Sequence, residues 1–115
     1  MVDKNYIPKP GDIVWLNLDP TLGHEQKGRR PVLVISSREF NSLTNLAFIC
    51  PITSTEKKYA YRISINGQKI SGFVMADQLR SVAWKDRAVE YIEKTDMENL
   101  KNITNLIEAV IDHTL

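Results

Sequence analysis

Thirteen residues join one of the most apolar segments of this sequence to one of its most polar loops. Residues 23–35 read GHEQKGRRPVLVI. The apolar run over residues 31–36 predicts a strand buried on both faces, because a half-exposed strand would alternate apolar and polar side chains. Pro31 fixes the backbone where this strand begins and biases Arg30 towards an extended conformation. We therefore expect the loop's charges to lie at the root of a rigid strand.

Turn signals divide the surrounding sequence into short segments with the periodicity of strands. Further strands are predicted over residues 13–18, 46–53, 59–65, 73–77, 79–84 and 89–92, with a single helical turn over 37–43. Pro51 indicates an edge strand or a bulge near the end of the 46–53 segment. The Asn66–Gly67 pair is typical of a tight turn and closes the 59–65 segment.

The last segment changes to a helical period. Apolar residues recur at three- and four-residue steps, and Thr95 with Glu98 fits a capping box, so we predict a helix that begins at Thr95. A sheet of short strands tends to bury its edges by curling. The pattern indicates a mainly β fold with α (α+β), a small twisted or barrel-like sheet closed by one C-terminal helix.

Length and composition predict one globular domain over residues 1–115, with 43% hydrophobic and 25% charged residues. No apolar run of about 18 residues occurs, which argues against a membrane span. The N-terminal residues lack the apolar core of a signal peptide. Cys50 is the only cysteine and has apolar neighbours, so we predict an inert strand residue in a protein of the reducing cytoplasm.

Charge is unevenly distributed along the chain, although the formal net charge is only +1. Residues 1–87 carry 13 Lys and Arg against 8 Asp and Glu, whereas residues 88–115 carry 2 against 6. A basic body could present a positive surface to an anion such as a nucleic-acid backbone. Solvated faces produce similar imbalances, so this observation is only a hint.

Arg30 is the first candidate for a binding or catalytic role. Its guanidinium group is permanently charged and offers a planar fork of donors that matches a phosphate. The alternative is a structural ion pair with Glu25 or Asp19. Glu25 and His24 are candidate proton carriers beside this cation, since histidine titrates near neutral pH and a carboxylate in a dry site can act as a base. The alternative for both is a polar pair on a surface loop.

Hydroxyl groups follow the apolar run that ends at residue 52. Thr53 and Ser54 could donate hydrogen bonds to a phosphoryl oxygen, but hydroxyls at a strand end also cap turns. Residues 57–62 interleave Lys and Arg with two tyrosines. This composition suits stacking and backbone contacts with single-stranded nucleic acid, or simply one face of a strand.

Asp77, Gln78 and Arg80 carry groups that could read base edges or hydrogen-bond within the fold. No GxxxxGK[ST] loop, HExxH pair or histidine cluster occurs, so neither a metal nor a cofactor is predicted. From the residues alone, a metal-free reaction on a phosphodiester and binding without catalysis both remain open.

Taken together, these stretches resemble the MazF/PemK family of toxin endoribonucleases from bacterial toxin–antitoxin pairs. The resemblance runs in order along nearly the whole chain, through residues 11–15 (GDIVW), 18–21 (LDPT), 23–26 (GHEQ) with Gly28, Arg30 and Pro31, 51–53 (PIT), and Gly72 with 76–84 (ADQLRSVAW). The GxEQxGxRP pattern and the later DQLRSVAW stretch make it specific.

The resemblance implies an SH3-like small β-barrel with a C-terminal helix, a fold shared with the CcdB gyrase poisons. It implies a homodimer that cuts single-stranded RNA, mRNA included, at short sequences without a metal, which inhibits translation and growth. The expected products are a 2′,3′-cyclic phosphate and a 5′-hydroxyl. A cognate MazE-like antitoxin is expected to block the RNA groove with an acidic C-terminal segment.

Carried over by motif, the catalytic residues are Arg30, Thr53 and Glu25. Arg30 is expected to stabilise charge on the phosphoryl oxygens, Thr53 to hold one of them, and Glu25, or failing that His24, to accept the proton of the 2′-hydroxyl. The further candidates for RNA contact or catalysis are His24, Arg29, Ser54, Asp77, Gln78 and Arg80. Two alternatives of other classes are a CcdB-like gyrase poison without nuclease activity and a non-catalytic SH3-like RNA-binding module.

Overall fold

The computed structural model describes residues 5–19, 28–56 and 60–113. In this part of the chain there are seven strands, β1 Asp12–Asn17, β2 Arg29–Val34, β3 Ala47–Thr53, β4 Arg62–Asn66, β5 Ser71–Met75, β6 Arg80–Val82 and β7 Glu90–Lys94. The α-helices are α1, Arg38–Thr44, and α2, Met97–Val110, and short 3-10 turns lie at Ala76–Gln78 and Trp84–Asp86.

The strands form one antiparallel sheet in the order β4-β5-β3-β2-β1-β7, and β6 pairs with the first half of β3. The sheet curls around β3, because residues 47–49 of this strand pair with β6 whereas Ile52 and Thr53 pair with β5. The α2 helix packs against β4 and the Ala76–Gln78 turn. This arrangement confirms the mainly β fold with a curled sheet and a C-terminal helix.

The β2 strand lies at the centre of the molecule, as its apolar run predicts. Val32, Leu33 and Val34 are each 0% exposed. Side chains alternate across a strand, so β2 contributes to a separate core cluster on each face of the sheet. The first cluster comprises Val14, Leu16, Val32, Val34, Ala47, Ile49, Val82, Trp84 and Val89, and the second comprises Ile13, Leu33, Cys50, Ile52, Ile65, Val74, Ile92 and Ile103.

The β2 strand begins two residues earlier than predicted, at Arg29, because its first residues pair with β1 in the register Arg29↔Asn17 and Arg30↔Leu16. The strand predicted over 59–65 also differs. Tyr59 lies outside the described residues, and residues 60–61 form a turn before β4 begins.

Pro51 is predicted to mark an edge strand or a bulge, and the edge-strand alternative is wrong, since β3 is a central strand. Pro51 lies between the two pairings on one side of β3, after β6 ends opposite Ile49 and before β5 begins opposite Ile52. A residue without an N–H group is tolerated there because the ladder changes partner at this point.

The α2 helix begins two residues later than predicted. Its N-cap is Asp96, whose carboxylate accepts a hydrogen bond of 2.9 Å from the backbone N–H of Asn99. Thr95 is 8% exposed and its hydroxyl accepts a hydrogen bond from the side chain of Asn99 instead. Asp96 therefore caps the helix, in the role that the sequence pattern assigns to Thr95. Of the helices in the described part of the chain, none is long and apolar enough to cross a membrane.

Candidate active site

The end of β3 and the start of β2 meet at one corner of the sheet. These strands pair in the register Val34↔Ile49, Leu33↔Cys50 and Val32↔Pro51. Continued by two residues, the same register sets Arg30 opposite Thr53, although they are far apart in sequence. The pairing of β2 with β3 therefore explains why Arg30 and Thr53 lie together.

A surface pocket of about 280 Å³ occupies this corner. The residues that line it are Arg30, Pro31, Ile52, Thr53, Ser54, Ile70 and Ser71, and we call it the Arg30–Thr53 pocket. Its lining combines apolar side chains with one cation and three hydroxyl groups. Such a lining can hold an anionic group while limiting its hydration, which strengthens the electrostatic interaction.

Thr53 also caps the turn that follows β3. Its hydroxyl oxygen accepts a hydrogen bond of 3.2 Å from the backbone N–H of Thr55, which caps the turn after β3. This bond occupies a lone pair of the oxygen and not its proton, so the hydroxyl can still donate to a ligand. Capping also fixes the side chain, which favours a positioned donor.

Arg30 is exposed at the mouth of the pocket. One of its guanidinium nitrogens, Nη1, donates a hydrogen bond of 2.8 Å to the backbone carbonyl of Arg29. Because this bond uses one of five N–H donors, it is compatible with donation to a bound phosphate.

Arg29 reaches in a different direction. Its guanidinium crosses β1 to form an ion pair with Glu90 on β7, and its carbon atom Cζ lies 5.4 Å from the centre of the Trp15 ring. The side chain is 16% exposed. The hydrogen bond from Arg29 holds the pKa of Glu90 below its ordinary value. Arg29 therefore links the strands of the sheet, and it does not line the Arg30–Thr53 pocket.

Asp77, Gln78 and Arg80 are exposed and lie elsewhere on the surface. Arg80 pairs with Ile49, four residues before Thr53 on β3, which corresponds to about 13 Å along the strand. Asp77 and Gln78 belong to the turn that packs against α2. These three residues are neighbours along the chain, and none of them lines the Arg30–Thr53 pocket.

Cys50 is fully buried beneath this corner, as expected of an inert strand residue. Burial, with a smaller effect from the charge of Asp77, raises the pKa of the Cys50 thiol to about 12. The nucleophilic thiolate is therefore scarce at neutral pH.

Residues 9–111 match the family described as the PemK-like, MazF-like toxins of type II toxin–antitoxin systems. The chain belongs to the PemK/MazF toxin family. Its sequence is 35% identical over 106 residues to the endoribonuclease toxin MazF of Escherichia coli K12, covering 92% of this chain and 96% of that one.

Solved structures of this family share the fold. A crystal structure of MazF from Deinococcus radiodurans is matched with a TM-score of 0.83 and 36% identity, over 93% of this chain and 98% of that one. A MazE–MazF complex from the same organism is matched with a TM-score of 0.83 and 31% identity, over 93% of this chain and 97% of the other. The resemblance read from the sequence motifs is confirmed.

Two of the residues expected in the active site of this PemK/MazF-family chain, Glu25 and His24, lie outside the described residues. The described chain stops at Asp19 and resumes at Gly28. Arg87 holds the end of β1 just before this gap, since its Nη1 donates to the backbone carbonyls of Asn17 at 3.2 Å and Leu18 at 3.1 Å.

Sequence reasoning missed Ile70 and Ser71, which form one wall of the pocket in this PemK/MazF-family chain. They follow the turn that Asn66 and Gly67 predict, so the hairpin itself was visible in the sequence. The docking of this hairpin against Thr53 was not visible in the sequence. It depends on the register of β5 on β3, in which Thr53 pairs with Phe73.

Proposed function

We propose that this protein is an endoribonuclease toxin that cuts single-stranded RNA, mRNA included, and thereby inhibits translation and growth. The observation that carries the proposal is the Arg30–Thr53 pocket, in which a cation and hydroxyl groups line one corner of the sheet. The relatives support it, since the similar protein of Escherichia coli is named an endoribonuclease toxin.

In the proposed reaction the ribose 2′-hydroxyl attacks the adjacent phosphorus. A bond forms between phosphorus and the 2′-oxygen while the bond to the 5′-oxygen breaks, which leaves a 2′,3′-cyclic phosphate and a 5′-hydroxyl. Negative charge accumulates on the non-bridging oxygens during the attack, and a fixed cation at a poorly hydrated surface lowers the energy of that state. Arg30 has this role, and Thr53 donates a hydrogen bond to one of the same oxygens.

Two protons move in this reaction. The 2′-hydroxyl proton passes to Glu25 in our assignment, with His24 as the alternative base. The departing 5′-oxygen gains a proton, for which Arg30 is the proposed donor. Arginine is a poor base, because its guanidinium group stays protonated at any physiological pH. The proposed mechanism uses no metal or other cofactor.

The remaining candidate residues have binding roles in this proposal. Ser54 adds a second hydroxyl to the pocket, and Asp77, Gln78 and Arg80 contact nucleotides away from the cleaved bond. Arg29 supports the sheet and contributes to RNA binding only through the strand that it holds.

We also propose a homodimer that acts in the cytoplasm, where mRNA is found, and a cognate MazE-like antitoxin with an acidic C-terminal segment. A positive RNA-binding surface is a natural target for an acidic segment, since both ligands use the same charge complementarity. The matched MazE–MazF complex from Deinococcus radiodurans supports this partner class.

The test is cleavage of a long mixed-sequence RNA in buffer with a chelator and no magnesium. Arg30→Ala and Thr53→Ala should each lose about 100- to 1000-fold in rate, the typical cost of one electrostatic contact to a developing oxyanion. Arg38→Ala, which removes an exposed arginine on α1, is the matched control and should cut at the wild-type rate. A folded Arg30→Ala protein that cuts RNA like the wild type would refute the assignment.

A further inference from the structure

Glu93 on β7 makes an unusual contact with the turn between β4 and β5. Its carboxylate accepts three backbone hydrogen bonds, from Gln68 at 3.0 Å, Lys69 at 2.9 Å and Ile70 at 2.7 Å. Successive N–H groups that converge on one anion form a concave binding site of the kind that often holds a phosphate. Here the anion is a side chain of the same protein.

Gly67 allows the carboxylate to approach this closely. A Cβ atom at Gly67 would lie 2.5 Å from Oε2 of Glu93 and 2.8 Å from the carbonyl oxygen of Ile70. The backbone N–H of Gly67 donates to that same carbonyl at 2.9 Å. The turn over residues 67–70 is therefore closed on itself and held from one side by Glu93.

This turn leads directly into the Arg30–Thr53 pocket. Ile70, which donates the shortest of the three hydrogen bonds, lines the pocket together with the next residue, Ser71. The β4 strand is at the edge of the sheet, so the hairpin is held to β3 only through β5 on its sheet side. Besides the packing of α2 against β4, Glu93 supplies an attachment at the end of the hairpin that forms the pocket wall.

We propose that Glu93 is a positioning residue for RNA, which holds the Ile70–Ser71 wall in place for the substrate strand. This inference rests on the proposed function. Glu93 contacts the turn and does not line the pocket, so its effect is on substrate binding and not on the chemical step. In kinetic terms, loss of Glu93 raises KM for RNA and leaves kcat nearly unchanged.

The charge of Glu93 favours this role at neutral pH. Burial by itself raises the pKa of Glu93, but the three backbone hydrogen bonds and the positive charge of Lys69 outweigh it, so the pKa is lowered. Lys94 and Asp96 line the neighbouring pocket with Glu93 and have opposite charges. The carboxylate is therefore ionised, and accepts all three hydrogen bonds, at every pH above its lowered pKa.

The expected effect follows from the fraction of molecules in which the wall is in place. If the turn keeps its conformation one-tenth of the time, the apparent affinity for RNA falls about tenfold. In Glu93→Gln the amide oxygen can still accept from Lys69 and Ile70, but the charge is lost and the NH₂ group faces the backbone N–H of Gln68, which it cannot satisfy. We expect KM to rise about tenfold with kcat changed less than about twofold. Glu93→Asp keeps the charge and should recover part of the affinity.

The experiment combines three measurements on wild type, Glu93→Gln, Glu93→Asp and the control Glu108→Gln, which removes an exposed carboxylate on α2. They are KM and kcat for RNA cleavage, the dissociation constant for a mixed-sequence pool of 2′-O-methyl RNA, and amide hydrogen exchange at residues 68–70. The methylated pool has no attacking hydroxyl, so it reports binding alone. Faster exchange with about tenfold weaker binding in Glu93→Gln is the expected result.

Several outcomes would overturn the inference. One is faster exchange at residues 68–70 with unchanged RNA affinity, and another is unchanged exchange. If Glu93→Gln does not fold, Gly67→Ala disturbs the same contact from the turn and decides the question. Failure of both variants to fold would also refute it, because Glu93 would then stabilise the whole fold. A wild type that binds the pool but cuts no RNA refutes the proposed function only.

Discussion

Replacing Gly72 by alanine should push β5 away from Thr53. A Cβ atom at Gly72 would lie 2.6 Å from the carbonyl oxygen of Thr53 and 3.2 Å from Cγ2 of Ile52. Non-bonded carbon and oxygen atoms approach to about 3.3 Å in weak C–H···O contacts, so the strands must separate by roughly 0.7 Å. Because the obstacle is backbone, no side-chain rotation relieves the clash.

The size of the effect can be worked out from this displacement. Overpacking costs about 1–3 kcal/mol, and the lower entropy of alanine in the unfolded chain offsets about 0.4–1 kcal/mol. We expect the free energy of unfolding to fall by about 1–2 kcal/mol, which lowers Tm by about 4–8 °C. A shift of about 1 Å at a catalytic group can cost about 100-fold in rate, so kcat/KM for RNA should fall about 10- to 100-fold.

The assay pairs thermal unfolding, followed by circular dichroism, with cleavage of an RNA that carries a mapped cut site. Ser64→Ala, an exposed change on β4 opposite Phe73, is the control and should alter stability by less than about 0.5 kcal/mol. Wild-type Tm in Gly72→Ala would refute the close packing of β5 on β3. A lowered Tm with wild-type kcat/KM would refute the dependence of cleavage on the position of Thr53.

Two further substitutions and one labelling experiment test the fold. Asn41 is 0% exposed, and its Nδ2 donates to the carbonyls of Pro8 at 2.9 Å and Ser36 at 3.2 Å. Asn41→Ala should therefore lower the free energy of unfolding, measured by chemical denaturation, by about 2–4 kcal/mol. The Cys50 thiol, with its pKa raised to about 12, should react with iodoacetamide at pH 8 only after unfolding; labelling of the native protein would contradict its burial. Ala88 has φ 53°, and Ala88→Gly should raise the free energy of unfolding by about 1 kcal/mol; a lower Tm would contradict this strain.

The elements that the sequence predicts well are those defined by local pattern. The apolar run of β2 and the helical period of α2 are visible in a window of a few residues, and both are found where expected within two residues at their starts. Capping was misassigned because Thr95 and Asp96 are both good N-cap residues, and only the backbone path shows that Asp96 reaches Asn99.

The candidate site was predictable only in part, because it depends on the register between strands. The motifs identify Arg30 and Thr53 individually, and the pairing of β2 with β3 brings them together. The wall residue Ile70 and its anchor Glu93 carry no local signal. They meet because a turn and a distant strand fold against each other, and a window of sequence contains no information about that contact.

The adjacent arginines show how strand geometry separates roles that the sequence leaves together. Successive residues of a strand point to opposite sides, so the side chains of Arg29 and Arg30 leave β2 on different faces of the sheet. Arg29 stacks on Trp15 and pairs with Glu90, which keeps its charge within the sheet. Arg30 is exposed and lines the Arg30–Thr53 pocket. Exchanging the roles of the two would require a one-residue shift of β2, and that shift would also move the fully buried Val32, Leu33 and Val34 to the wrong faces of the core. The same core packing that fixes the register of β2 therefore fixes the face of the sheet from which each arginine projects.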